Sequence, residues 1–139
     1  MSKHVLLAES LTPDAERLTL TLEQGQHVVR VRGELLMSSR VSGSEEALAH
    51  LAFGDRPSAR VSRVLIGGLG MGFTLRAALS ALTDDAQVTV AELVPEIIQW
   101  ARGPMAEVAA GCLDDPRVRL VMDDVGDAIL LAPDPFDAI

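Results

Sequence analysis

Cysteine is almost missing from this sequence, with Cys112 the single one. One thiol excludes an internal disulfide framework and a multi-cysteine zinc site, and it fits a reducing cytoplasm. Basic charge is scarce too: 12 Lys and Arg stand against 20 Asp and Glu, for a net charge of −8. That balance argues against a surface that tracks a phosphate backbone, so nucleic acid is not an expected partner. No apolar run approaches the roughly eighteen residues of a membrane span. The stretch Met1 to Leu11 holds only a short apolar segment, Val5 to Ala8, broken by Glu9, and so lacks the core of a signal peptide. His4, His27 and His50 are scattered, which gives no reason to expect a metal. Ser38, Ser39, Ser42 and Ser44 cluster without the G-x-S-x-G elbow of a serine hydrolase. These absences describe a soluble, cytoplasmic protein with neither nucleic acid nor membrane as partner.

What is present suffices for a packed core. The 139 residues are 48% hydrophobic and 23% charged, a globular balance near the usual size of one domain. Leu18, Leu20 and Leu22 alternate with polar residues, Glu23-Gln24-Gly25-Gln26 forms a polar turn, and Val28 to Val31 resumes a β-branched run. This predicts a hairpin, with a third short strand at Glu34 to Met37 after the turn at Arg32-Gly33. Ser42-Gly43-Ser44-Glu45 has the S-x-x-E spacing of a capping box. The helix it opens, Glu45 to Phe53, is expected to bury Leu48, Leu51 and Ala52. A linker with Gly54, Pro57 and Ser58 then closes an N-terminal region, 1–58.

From 59 to 139 strands alternate with helices. Val61 to Ile66, Val88 to Ala91 and Val118 to Met122 read as strands. Met71, Leu75, Ala78 and Leu82 recur at helical spacing, and Pro95 suits the first turn of a helix holding Ile97, Ile98 and Trp100. Gly103-Pro104 interrupts that helix, and further helical stretches are expected at Met105 to Ala110 and Asp127 to Leu131. Phe136 to Ile139 opens a fourth strand, expected beside the first. The alternation predicts an α/β fold with a doubly wound, Rossmann-like parallel sheet, incomplete at its C-terminal end. An unpaired apolar edge there would favour self-association into a homo-oligomer.

The chemistry centres on Gly67-Gly68-Leu69-Gly70-Met71-Gly72. Glycines let the backbone approach a ligand and leave the N–H groups of the next helix free, although they also serve any tight strand-to-helix turn. A dinucleotide fingerprint would need glycine where Phe73 stands; the spacing present is G-x-G-x-G at Gly68, Gly70 and Gly72, more usual in proteins that bind S-adenosylmethionine. Glu92 follows the second strand, where a carboxylate can accept hydrogen bonds from both ribose hydroxyls. Asp123 and Asp124 follow the third, where one can accept from an adenine amino group while the other caps a helix. Phe73 and Trp100 read as core or pocket wall, and Cys112 has no neighbouring base in sequence.

Three segments carry a resemblance: V-L-I-G-G-L-G-M-G-F-T-L-R-A-A-L, V-T-V-A-E-L-V-P-E-I-I-Q-W-A-R and D-P-R-V-R-L-V-M-D-D-V. Together, from Arg17 to Ile139, the chain resembles the spermidine synthase (polyamine aminopropyltransferase) family. The resemblance implies the methyltransferase-type nucleoside-binding fold, a donor that is S-adenosylmethionine or its decarboxylated form, and a small amine such as a polyamine as acceptor; the scattered histidines add the expectation of no metal. It implies Glu92 at the ribose and Asp124 at the adenine. The family's Y-H-E segment becomes Ser44-Glu45-Glu46, keeping Glu46 as a substrate-side candidate, with His50 also matching. Its G-G-G-D-G-G turn has Leu69, Gly70 and Met71 in the middle here and loses the acidic residue; its glutamine falls near Leu36 or Met37; its catalytic aspartate is expected just beyond Ile139. A methyltransferase acting on another small molecule and a non-catalytic nucleoside-binding or oligomerising module stand as the alternatives.

Overall fold

The structure is a computed structural model that describes residues 4–40, 43–54 and 61–139. Ser42 of the capping box, Pro57 and Ser58 of the linker, and the side chain of Glu46 lie outside the described part.

Four antiparallel strands come first, β1 (His4–Leu11), β2 (Arg17–Glu23), β3 (Gln26–Val31) and β4 (Glu34–Ser38), paired in that order. Both tight turns are of the hairpin-favouring kind with two positive φ angles, at Gln24-Gly25 and at Arg32-Gly33. The β2–β3 register sets Leu18 opposite Val31, Leu20 opposite Val29 and Leu22 opposite His27. Leu18, Leu20, Val29 and His27 are buried, so this is the face turned to the core. Val29 also pairs with Met37 on β4, which carries Met37 to the same inner face.

Strand β1 was not expected, since its apolar residues Val5, Leu6 and Leu7 are consecutive instead of alternating. They stay exposed, and the register shifts between Leu6 and Ala8, as befits a bulged edge strand.

Helix α1 (Gly43–Phe53) follows, and here the expected burial is corrected. Leu48 is 57% and Leu51 78% exposed, whereas Ala49 and Phe53 are buried and Ala52 half-buried. The inner face is the i, i+4 row of Glu45, Ala49 and Phe53, turned towards α2 (Phe73–Ala81).

The second sheet is parallel, in the order β5 (Arg63–Gly67), β6 (Gln87–Ala91), β7 (Val118–Val121). Its connections run through α2, α3 (Pro95–Arg102) and α4 (Ala106–Ala109), with a 3-10 turn at Cys112–Asp114 and a short α5 (Val125–Leu130) after β7. On the other edge of β5, Ala138 bridges Val64 in parallel, with Leu65 N–H donating to Ala138 O at 3.0 Å and Asp137 N–H to Arg63 O at 2.7 Å. The strand position expected for Phe136 to Ile139, beside the first, is the one observed. Helix α5 begins at Val125, two residues before the expected start, because Asp124 caps it.

Val64, Ile66, Val88 and Val90 form the sheet's buried face under Leu75, Ala78, Ile97, Ile98 and Trp100. Leu18, Leu20 and Val29 join the same hydrophobic cluster, so both sheets share one core.

Candidate functional site

The parallel register aligns Gly67, Ala91 and Val121 across the sheet, so the turns that follow them open on one carboxyl edge. Beside that edge lies a cavity of about 320 Å³, lined by Met37 and Ser38 of β4, Glu45 of α1, the turn from Gly67 to Met71, Phe73, Thr74 and Glu92.

The turn is pinned to the next strand. Gly68 N–H donates to Ala91 O at 2.7 Å, and Leu69 N–H donates to Glu92 Oε1 at 3.0 Å. The other oxygen, Oε2, accepts from Val94 N–H at 3.1 Å. Glu92 is buried, so it is not a solvated strand end: its carboxylate joins the glycine turn to the start of α3. A carboxylate oxygen accepts more than one hydrogen bond, and capacity for hydroxyl donors from the cavity remains.

The three glycines divide into two kinds. Gly68 (φ +98°) and Gly70 (φ +55°) need the left-handed region, and a Cβ would meet nothing at Gly68 and only Met37 Sδ, at 3.8 Å, at Gly70. Gly72 (φ +89°) faces inward instead, where a Cβ would stand 3.0 Å from Cys112 Sγ and 3.6 Å from Ala109 Cα. Gly72 thus packs at the head of α2, and the cavity's lining residues do not include it. Burial pushes the Cys112 thiol pKa up, as suits a packing residue.

The acidic pair after β7 stands apart from this cavity. Asp124 Oδ2 accepts from Gly126 N–H at 2.9 Å and is the N-cap of α5. Asp123 lines a separate cavity of about 230 Å³ with Arg63, Thr89, Arg119 and Phe136. Both aspartates are exposed. Among the described residues no group of three or more His, Cys, Asp or Glu could hold a metal ion, and no helix is long and apolar enough to cross a membrane.

Met37, Glu45 and Thr74 belong to the site without having been singled out as site residues. Met37 could have been found from its place opposite Val29, and Glu45 from its i, i+4 relation to Ala49. Thr74 Oγ1 donates to the backbone oxygen of Glu45 at 3.0 Å and fastens α1 to the first turn of α2.

No family model matches the chain. The polyamine aminopropyltransferase of Aeropyrum pernix is 36% identical over 137 residues, covering 84% of this chain and 42% of that protein. The chain is thus similar, by a partial match to their N-terminal portion, to the polyamine aminopropyltransferases. The family member of Pyrobaculum neutrophilum is 34% identical over 97 residues, covering 68% of this chain and 32% of its own length. The chain thus spans less than half the length of these curated relatives. Among solved structures, spermidine synthase from Thermotoga maritima superposes with a TM-score of 0.74 at 23% identity, over 90% of this chain and 42% of that one. A spermidine synthase in complex with the transition-state analogue AdoDATO also matches with a TM-score of 0.74, over 43% of its length. These likenesses show the fold: a four-stranded antiparallel sheet followed by a three-stranded parallel sheet with helices, as in part of the spermidine synthase structure.

Proposed function

We propose that the cavity at the carboxyl edge binds the nucleoside of an S-adenosyl compound, and that the family reaction it serves transfers an aminopropyl or methyl group from that compound to a small amine, such as a polyamine. The observation that carries the reading is Glu92, a buried carboxylate fixed by Leu69 N–H at the wall of an open glycine turn. The diol of a ribose donates two hydrogen bonds, and an anionic acceptor makes each of them strong. Gly68 and Gly70 leave room for close approach, while Met37, Leu69 and Phe73 offer apolar wall to the rest of the ligand.

The transfer is a displacement at a carbon beside the sulfonium: the amine nitrogen forms the new bond, the carbon–sulfur bond breaks, and the thioether nucleoside leaves. The part of this chain is to hold the nucleoside so that the reacting carbon has one orientation. The proton lost by the amine would pass to a carboxylate that the family resemblance places just beyond Ile139. Asp123 and Asp124 follow the neighbouring strand β7, and that placement is what supports an adenine role for one of them. The division into 1–58 and 59–139 and a homo-oligomeric assembly complete the proposal; the exposed Leu48 and Leu51 of α1 support the latter.

Titration calorimetry with S-adenosylmethionine, its decarboxylated form, methylthioadenosine and NAD tests this reading. The three thio-nucleosides should bind and NAD should not. Glu92→Gln keeps the size but loses the charge, and should weaken nucleoside binding by about 1.5–3 kcal/mol. Unchanged affinity for every S-adenosyl compound would mean that Glu92 does not hold the ribose.

A further inference from the structure

Another cavity, of about 540 Å³, is larger than the one at the glycine turn and shares only Phe73 with it. It opens where the β2–β3 hairpin meets α2 and α4, and its polar lining is Gln26, His27, Ser39, Arg76 and Glu107.

The two charges on this lining are unmatched. Arg76 on α2 and Glu107 on α4 both border the cavity, yet among the described residues neither takes part in an ion pair, with the other or with any third group. Arg17, Arg30, Arg32, Arg63 and Arg117, by contrast, each have a carboxylate partner. Arg76 is held in place all the same. Its Nη1 donates to Val108 O at 2.8 Å, which fixes the guanidinium against α4 and leaves its remaining N–H groups as donors.

The neutral groups add one donor and one acceptor. Ser39 Oγ accepts from His27 N–H at 2.8 Å and donates to Gln26 Oε1 at 2.9 Å, so the Gln26 carbonyl is occupied and its amide nitrogen is the free donor. His27 is only 7% exposed, and its Nε2 donates to Pro104 O at 3.0 Å, which leaves Nδ1 with a lone pair that no described group meets. A buried acceptor of this kind gains a hydrogen bond when a ligand brings an N–H to it. Leu22, Phe73 and Val108 make the rest of the wall apolar.

We infer that this cavity binds a free amino acid with an apolar side chain, at a site separate from the glycine turn. Arg76 and the Gln26 amide donate to the α-carboxylate, Glu107 and His27 Nδ1 accept from the α-ammonium, and the side chain lies against the apolar wall. Only a zwitterion matches both charges at once. A simple anion, phosphate included, enters beside Glu107 and meets like charge, and a simple cation does so beside Arg76.

The test is calorimetric titration with L-leucine, with isocaproate, which is leucine without its amine, and with isoamylamine, which is leucine without its carboxylate. L-Leucine should bind saturably, and each singly charged analogue at least about tenfold more weakly. Glu107→Gln, at an exposed position with no side-chain hydrogen bond among the described residues, should weaken L-leucine about tenfold without weakening isocaproate. Glu34→Gln, on the exposed start of β4, should change nothing, and thermal unfolding should be the same for both variants and the wild type. The assignment is overturned if L-leucine does not bind at about 10 mM, if either analogue binds as tightly as L-leucine, or if folded Glu107→Gln binds L-leucine as the wild type does.

Discussion

At the scale of single residues, glycines two positions apart do different work. Gly70 opens onto the cavity with nothing but Met37 Sδ near its missing Cβ, whereas Gly72 packs against Cys112 and Ala109. Gly70→Val, a β-branched residue at φ +55°, should abolish nucleoside binding in a protein that still folds. Gly72→Ala should act on stability, costing about 1–3 kcal/mol through overpacking and its positive φ. Thermal unfolding and nucleoside titration on both variants check the pair; near-normal binding in folded Gly70→Val would show that the turn does not approach the ligand. Sequence spacing locates these glycines but not their duties, because Cys112 and Met37 reach them from distant parts of the chain. Glu92 was readable from its position after a strand. Its bond to Leu69 N–H was not, since that contact depends on how the neighbouring turn folds back.

Among the elements, α2 is closed by a device that no local pattern announces. Arg117 Nη1 donates to the backbone oxygens of Leu79, Leu82 and Thr83 at 3.0, 3.2 and 3.3 Å, just where a helix end leaves carbonyls unmatched. The guanidinium is in turn gripped by both oxygens of Asp115, at 3.0 and 2.8 Å. Beside Arg117, the Asp115 carboxyl pKa is held down to about 2. A depressed carboxyl pKa stabilises the fold above its unfolded value near 4 and loses that contribution as pH falls through the folded value. Thermal unfolding should therefore show a stability loss between about pH 4 and pH 2 that is smaller in Asp115→Asn. Arg117→Ala should cost about 2 kcal/mol at neutral pH by denaturant titration, with α2 affected first. A flat profile and an unaffected Arg117→Ala would remove the staple from the account. The helices themselves were readable, because Leu75, Ala78, Ile97 and Ile98 keep a 3.6-residue period against one sheet face. Helix α1 was misjudged because its larger residues, Leu48 and Leu51, lie on the outer side while Ala49 meets α2.

Across the whole molecule, the site lies at the seam between the two sheets. The small sheet sends Met37 and Ser38 to the cavity, and α1 sends Glu45. His27, buried on β3, ties the sheets together through Nε2, 3.0 Å from Pro104 O between α3 and α4. A carbonyl only accepts, so Nε2 carries the proton. The central claim is that nucleoside binding occurs at this seam, between the glycine turn and Glu92. Backbone amide NMR during titration with methylthioadenosine tests it most directly. Saturable shifts should concentrate on Gly68, Leu69, Gly70, Glu92 and Met37, with little change on β1 or near Arg119. Shifts centred instead on the cavity of Arg63, Arg119 and Asp123, or none at saturating ligand, would contradict it.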